Sequence, residues 1–200
     1  PGSINSILED NVDDVIDTTN FKTATFYSIS NCQPGLKNIT FGNFLIKQVV
    51  QELQSEFPSI KNFVTLSPVP GFNRWLQSTD DSESDTLTTL KTEFADAENS
   101  PHKTNDKPDI LRKLVFNYLA QARRDKYPAD PVARFHLGNG AMLHNVHTDA
   151  DHSEKGLQQA YGCMVNYLYD LRYIERNHEL YVAEGNVGYS DKLKSLLIKS

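Results

Sequence analysis

Cysteine is scarce: Cys32 and Cys163 are the only two in 200 residues, too few for a disulfide framework or a four-thiolate zinc site. That usage fits a reducing compartment. Basic charge is also short, with 20 Lys and Arg against 26 Asp and Glu and a net charge of −6. Such a chain repels a phosphate backbone, so no nucleic-acid partner is expected. No apolar run approaches the roughly 20 residues that span a bilayer, and no basic stretch leads into an apolar one. The expectation is a soluble, cytoplasmic protein with no membrane partner. The phosphate-binding signatures G-x-x-x-x-G-K-[ST] and G-x-G-x-x-G are absent, which counts against the common mononucleotide and dinucleotide folds.

What the chain does have is aromatic bulk: 10 Phe, 9 Tyr and one Trp within a 38% hydrophobic composition. That is enough for one packed core at a length typical of a single domain. Pro1-Gly2-Ser3 reads as a cloning scar, and Glu9 to Asp14 as part of a solvated acidic arm, so residues 1–21 are set apart from a domain spanning 22–200. Lys22 to Ile29, rich in Thr, Phe and Tyr, predicts a strand. Leu45, Ile46, Val49, Val50 and Leu53 recur at helical spacing and predict an amphipathic helix ending before Pro58. Lys61 to Leu66 predicts a second strand, closed by Ser67-Pro68-Val69-Pro70-Gly71.

Residues 77–107 are polar and read as a surface insertion with one helix at its centre. Ile110 to Ala122 predicts a core-facing helix. Asp130-Pro131 supplies an N-cap residue followed by proline at the first helical position, starting a short helix that Gly138 ends. Strands at 141–146 and 163–168 and helices at 171–184 and 190–199 complete an α/β pattern.

Three places carry candidate chemistry. The loop Gln33 to Asn43 precedes a helix whose first N–H groups are unpaired, so it suits a pyrophosphate, although glycine loops open many helices and a plain turn is the commoner explanation. Ser67 is held extended by Pro68, as a preorganised hydroxyl requires, and equally as any strand end before proline. His136, between Phe135 and Leu137, has a side chain whose two protonation states are both accessible near neutrality, and a buried structural histidine is the alternative. His144, His147, Asp149, Asp151 and His152 look like a metal cluster. Residues 144 and 147 of a strand face opposite ways, however, so no metal is expected.

Five blocks in order carry a resemblance. They are Phe26 to Gln33 (FYSISNCQ), Phe41 to Lys47 (FGNFLIK), Leu66 to Phe72 (LSPVPGF), Pro131 to Ala141 (PVARFHLGNGA) and Met164 to Tyr169 (MVNYLY). Together, over residues 22 to 185, they resemble the C-terminal catalytic region of the malonyl-CoA decarboxylases, most closely the bacterial branch. The resemblance implies a GNAT-like α/β (α+β) fold: a mixed, mostly antiparallel central sheet flanked by helices. It implies malonyl-CoA as substrate, acetyl-CoA and CO2 as products and no separate cofactor.

In the family, the loop matching Lys37, Asn38, Ile39, Thr40, Phe41, Gly42 and Asn43 holds the CoA pyrophosphate, and the residues matching Ser67 and His136 are the catalytic pair. Asn166 and Tyr169 match positions near the same pocket. Two positions depart from the family pattern. Thr40 stands where a glycine is usual, and His147-Thr148 stands where the family has an Asn-Trp pair. The resemblance further implies an N-terminal helical domain, which this chain lacks, and homo-oligomers assembled partly through it. Two other readings of the same residues are a GNAT-type acyl transfer to an amine or carrier thiol, and a non-catalytic CoA-binding module.

Overall fold

The computed structural model describes residues 21–27, 41–78, 84–98 and 107–198. A four-stranded sheet runs in the order β1 (Thr23–Tyr27), β2 (Asn62–Pro68), β6 (Met164–Leu168), β5 (Met142–His147). β1 and β2 are parallel, and the crossover that a parallel pair needs is supplied by helix α1 (Phe41–Glu56). β2–β6 and β5–β6 are antiparallel, so the sheet is mixed and mostly antiparallel, as expected.

Helix α4 (Lys107–Gln121) lies in the core. Leu111, Leu114, Val115, Tyr118 and Leu119 are all buried, and so is Asn117. The Asn117 amide is satisfied by pinning the C-terminal segment: Nδ2 donates to the Leu196 carbonyl at 2.7 Å, and Oδ1 accepts the Ile198 N–H at 2.9 Å. That pinning accounts for the last element. The sequence predicts a helix over 190–199, whereas the chain makes only a 3-10 turn, η1 (Asp191–Leu196), because Leu193 and Ile198 both turn inward to the core.

Short elements that propensity does not signal fill the connections. Helix α2 (Phe72–Leu76) follows Gly71, a β3–β4 ribbon (Arg123–Arg124, Tyr127–Pro128) joins α4 to α5 (Pro131–Gly138), and α6 (Glu154–Ala160) precedes β6. In the polar stretch read as an insertion, α3 (Asp85–Glu98) buries Leu87 and Phe94, with the Phe94 ring edge-on to Tyr161. Those few apolar residues tie it into the main core. Helix α7 (Ile174–Glu184) closes against α5, ending at Gly185 with φ +69.

Candidate functional site

One buried carboxylate brings the two halves of the site together. Asp130 caps α5 as its sequence predicts, with Oδ1 accepting the N–H groups of Val132 at 2.9 Å and Ala133 at 3.0 Å. Its second oxygen accepts the Gly71 N–H at 3.2 Å. The loop that follows Ser67 is thereby tied to the start of the helix that carries His136. Burial raises the Asp130 carboxyl, and the backbone N–H bonds work against that rise. Gly71 is required there, because a Cβ at this position would overlap the Tyr118 hydroxyl.

The tie sets a short distance across 69 residues of sequence: Ser67 Oγ and His136 Nε2 lie 3.0 Å apart, both buried. On its other side His136 Nδ1 meets the Tyr169 hydroxyl at 2.8 Å, and the imidazole stacks on Tyr167 with centroids 4.4 Å apart. Burial drives the His136 pKa from 6.5 down to about 3, so the ring is neutral at physiological pH. Burial also raises the Tyr169 phenol, against the opposing hydrogen bond of the adjacent Asn139 amide, so Tyr169 keeps its proton.

A second polar strand of contacts runs along the sheet. Ser67 Oγ is 2.9 Å from Thr65 Oγ1, and Asn166 Nδ2 donates to the Thr65 carbonyl at 2.6 Å. With its amino group committed, Asn166 presents its carbonyl oxygen to His147 Nε2, which also lies 3.2 Å from Asn145 Nδ2. Beyond it, Asn145 accepts from Arg112 Nη2 at 3.0 Å. Burial lowers the His147 pKa.

Sequence reasoning singled out Ser67, His136, Asn166 and Tyr169, and all four converge in this region. Asn166 is turned toward Thr65 and His147, away from the Ser67–His136 pair. Lys37, Asn38, Ile39 and Thr40 lie outside the described residues. Phe41, Gly42 and Asn43 form the first turn of α1. The register of β5 shifts between Leu143 and Asn145, so the simple alternation used to separate His144 from His147 does not run through that strand.

Thr65, Tyr167 and Asn139 were not singled out. Thr65 had a signal, since period-two alternation places Phe63, Thr65 and Ser67 on one face of the strand. The stacking of Tyr167 and the approach of Asn139 are products of tertiary packing.

Fold and site together define a mixed α/β domain built around a buried serine–histidine pair. The chain belongs to the malonyl-CoA decarboxylase family: the family's C-terminal domain matches residues 1–200. A crystal structure of malonyl-CoA decarboxylase from Rhodopseudomonas palustris is similar with a TM-score of 0.83 at 42% identity, covering 99% of this chain and 47% of that one. The one from Agrobacterium vitis is similar at 42% identity and a TM-score of 0.78, covering 100% and 51%. Among curated proteins, the mitochondrial malonyl-CoA decarboxylase of Anser anser anser is 34% identical over 98% of this chain and 44% of its own length. The mouse protein of that name is 36% identical over 87% and 40%. The chain thus spans about half the length of the relatives it matches.

Proposed function

We propose that this region performs the decarboxylation of malonyl-CoA to acetyl-CoA and CO2, with Ser67 and His136 as the catalytic residues. The observation that carries the reading is the 3.0 Å contact between Ser67 and a His136 that burial holds neutral. Membership of the family, shared with relatives that are malonyl-CoA decarboxylases, supports the choice of substrate.

Counting protons gives each group a direction. The Tyr169 phenol keeps its single proton, and the neighbouring Asn139 Nδ2, which has no hydrogen-bond partner at bonding distance among the described residues, is a donor whose influence lowers the phenol pKa. The phenol therefore donates to His136 Nδ1, which leaves the imidazole proton on Nε2, facing Ser67 and the reacting group.

Cleavage of the bond between the malonyl carboxylate and its α-carbon releases CO2 and places an electron pair on the thioester enolate. The Ser67 hydroxyl hydrogen-bonds the thioester oxygen as its negative charge develops. His136 gives its Nε2 proton to the α-carbon while Nδ1 takes the Tyr169 proton. The imidazole stays neutral, and the phenolate is reprotonated from solvent. The charge is carried by the thioester itself, so the reaction calls for no separate cofactor. The unpaired N–H groups opening α1, with residues 37–43, suit the CoA pyrophosphate.

The test is mass spectrometry of malonyl-CoA incubated with a protein that carries this chain at the full length of its relatives. Acetyl-CoA is expected, with one deuterium in its methyl group when the solvent is D2O. Ser67→Ala and His136→Ala each lower kcat by about 100-fold or more. Absence of acetyl-CoA, or full turnover by either variant, overturns the reading. Acetyl groups appearing instead on an added amine or carrier thiol would establish the transferase.

A further inference from the structure

The β2–β6 ladder is interrupted beside the serine. It is regular at Val64 with Leu168, Ser67 with Val165 and Pro68 with Met164, but it skips Thr65 with Tyr167 and Leu66 with Asn166. The Tyr169 N–H bonds the Phe63 carbonyl at 2.8 Å, so antiparallel alternation calls for the Tyr167 N–H to bond the Thr65 carbonyl two residues on. Two side chains take over instead. The Tyr167 N–H donates to Thr65 Oγ1 at 3.2 Å, and the Thr65 carbonyl accepts from Asn166 Nδ2. Thr65 is wholly buried, in a strand interior where valine has the same shape and costs no desolvation. What the hydroxyl adds is an acceptor 2.9 Å from Ser67 Oγ.

We propose that Thr65 is a positioning residue that draws the Ser67 proton away from His136 and so keeps Ser67 a hydrogen-bond donor rather than a nucleophile. The proposal rests on the decarboxylase reading and deepens it. A hydroxyl has one proton. While Ser67 gives its proton to Thr65, it can only accept from His136 Nε2–H, and the imidazole has no free lone pair with which to deprotonate it. Serine attack on the thioester, the first step of acyl transfer through a serine, needs the reverse arrangement, with Ser67 donating to Nε2. When malonyl-CoA enters, the thioester oxygen replaces Thr65 as the acceptor of the Ser67 proton. No covalent bond to serine forms. Thr65 is thus a determinant of reaction type, placed beneath the pair.

The experiment combines nitrogen-15 NMR of the His136 ring with kinetics, on the same full-length protein, for wild type, Thr65→Val and Thr65→Ser. The wild-type ring is expected as a single tautomer protonated at Nε2. Thr65→Val, isosteric but without the acceptor, is expected to give a mixture of Nε2 and Nδ1 forms. Its kcat falls about tenfold with KM nearly unchanged, and Ser67 labels faster with a fluorophosphonate. Thr65→Ser restores all three.

A wild-type ring protonated at Nδ1 overturns the proposal, as does a Thr65→Val protein that matches wild type in tautomer and labelling. If Thr65→Val fails to fold, Thr65→Ala, which also lacks the acceptor, takes its place, and a tautomer and labelling rate equal to wild type in that variant overturn the proposal. If the wild type makes no acetyl-CoA, the decarboxylase reading fails on its own, while the ring spectrum still reports on Thr65.

Discussion

At the scale of single residues, the site works by denying charge. His136 is in contact with Tyr167, Tyr169 and Ser67, all neutral, and among the described residues nothing touching the ring favours an imidazolium. A histidine titrating near 6.5 would give kcat a break at that pH, whereas a ring neutral down to about 3 does not. The kcat for decarboxylation is therefore expected to stay flat between about pH 5.5 and 8, as a pH–rate profile measures; a limb near 6.5 that disappears in a His136 variant contradicts it. In the proposed mechanism the Tyr169 phenol replenishes Nδ1; Tyr169→Phe removes that proton and leaves the ring stacked in place. Its kcat is expected to drop by about 10- to 100-fold with KM little changed in steady-state kinetics.

Legibility differs sharply among these residues. Ser67 and His136 stand out as motif members, but their contact is non-local, and no spacing rule places two groups 69 residues apart at hydrogen-bond distance. Thr65 shares a strand face with Ser67 and was within reach of period two alone.

At the scale of elements, the sequence is most transparent where backbone chemistry is local. Asp130-Pro131 announces the start of α5, and the structure puts the cap on Val132 and Ala133. The same carboxylate's bond to Gly71 is invisible in sequence, because it depends on how β2 and α5 meet. Asp130→Ala removes both, so unfolding in urea is expected to show a loss of about 2 kcal/mol. Its kcat should fall more than Asp130→Asn, which keeps a capping oxygen. The apolar spacing of 190–199 misleads for the opposite reason. A helical period there coexists with Asn117 drawing Ile198 inward, and tertiary contacts shorten the helix to one 3-10 segment. Leu87 and Phe94 show that a polar stretch needs only two buried anchors to join a core.

At the scale of the whole molecule, burial of a neutral histidine links stability to pH. The unfolded chain binds a proton at His136 as pH falls through 6.5, and the folded chain does so only near 3. Stability is therefore lost as the solution is acidified across that window. At pH 4 the loss amounts to about 3 kcal/mol relative to pH 7. Urea unfolding at both pH values, in wild type and in His136→Asn, isolates this contribution from Asp130, whose raised pKa acts with the opposite sign. A pH dependence unchanged by the substitution contradicts it.

The Asp130 clamp also orders how the molecule comes apart. The amides of Gly71, Val132 and Ala133 are held by the two oxygens of one buried carboxylate, whereas β1 is paired on one side only among the described residues. Partial opening begins at strands of that kind. The clamped amides exchange their hydrogens only when the core itself opens, so the spacing of Ser67 and His136 outlasts the loosening of the sheet edge, and the geometry of the pair is among the last features the protein surrenders.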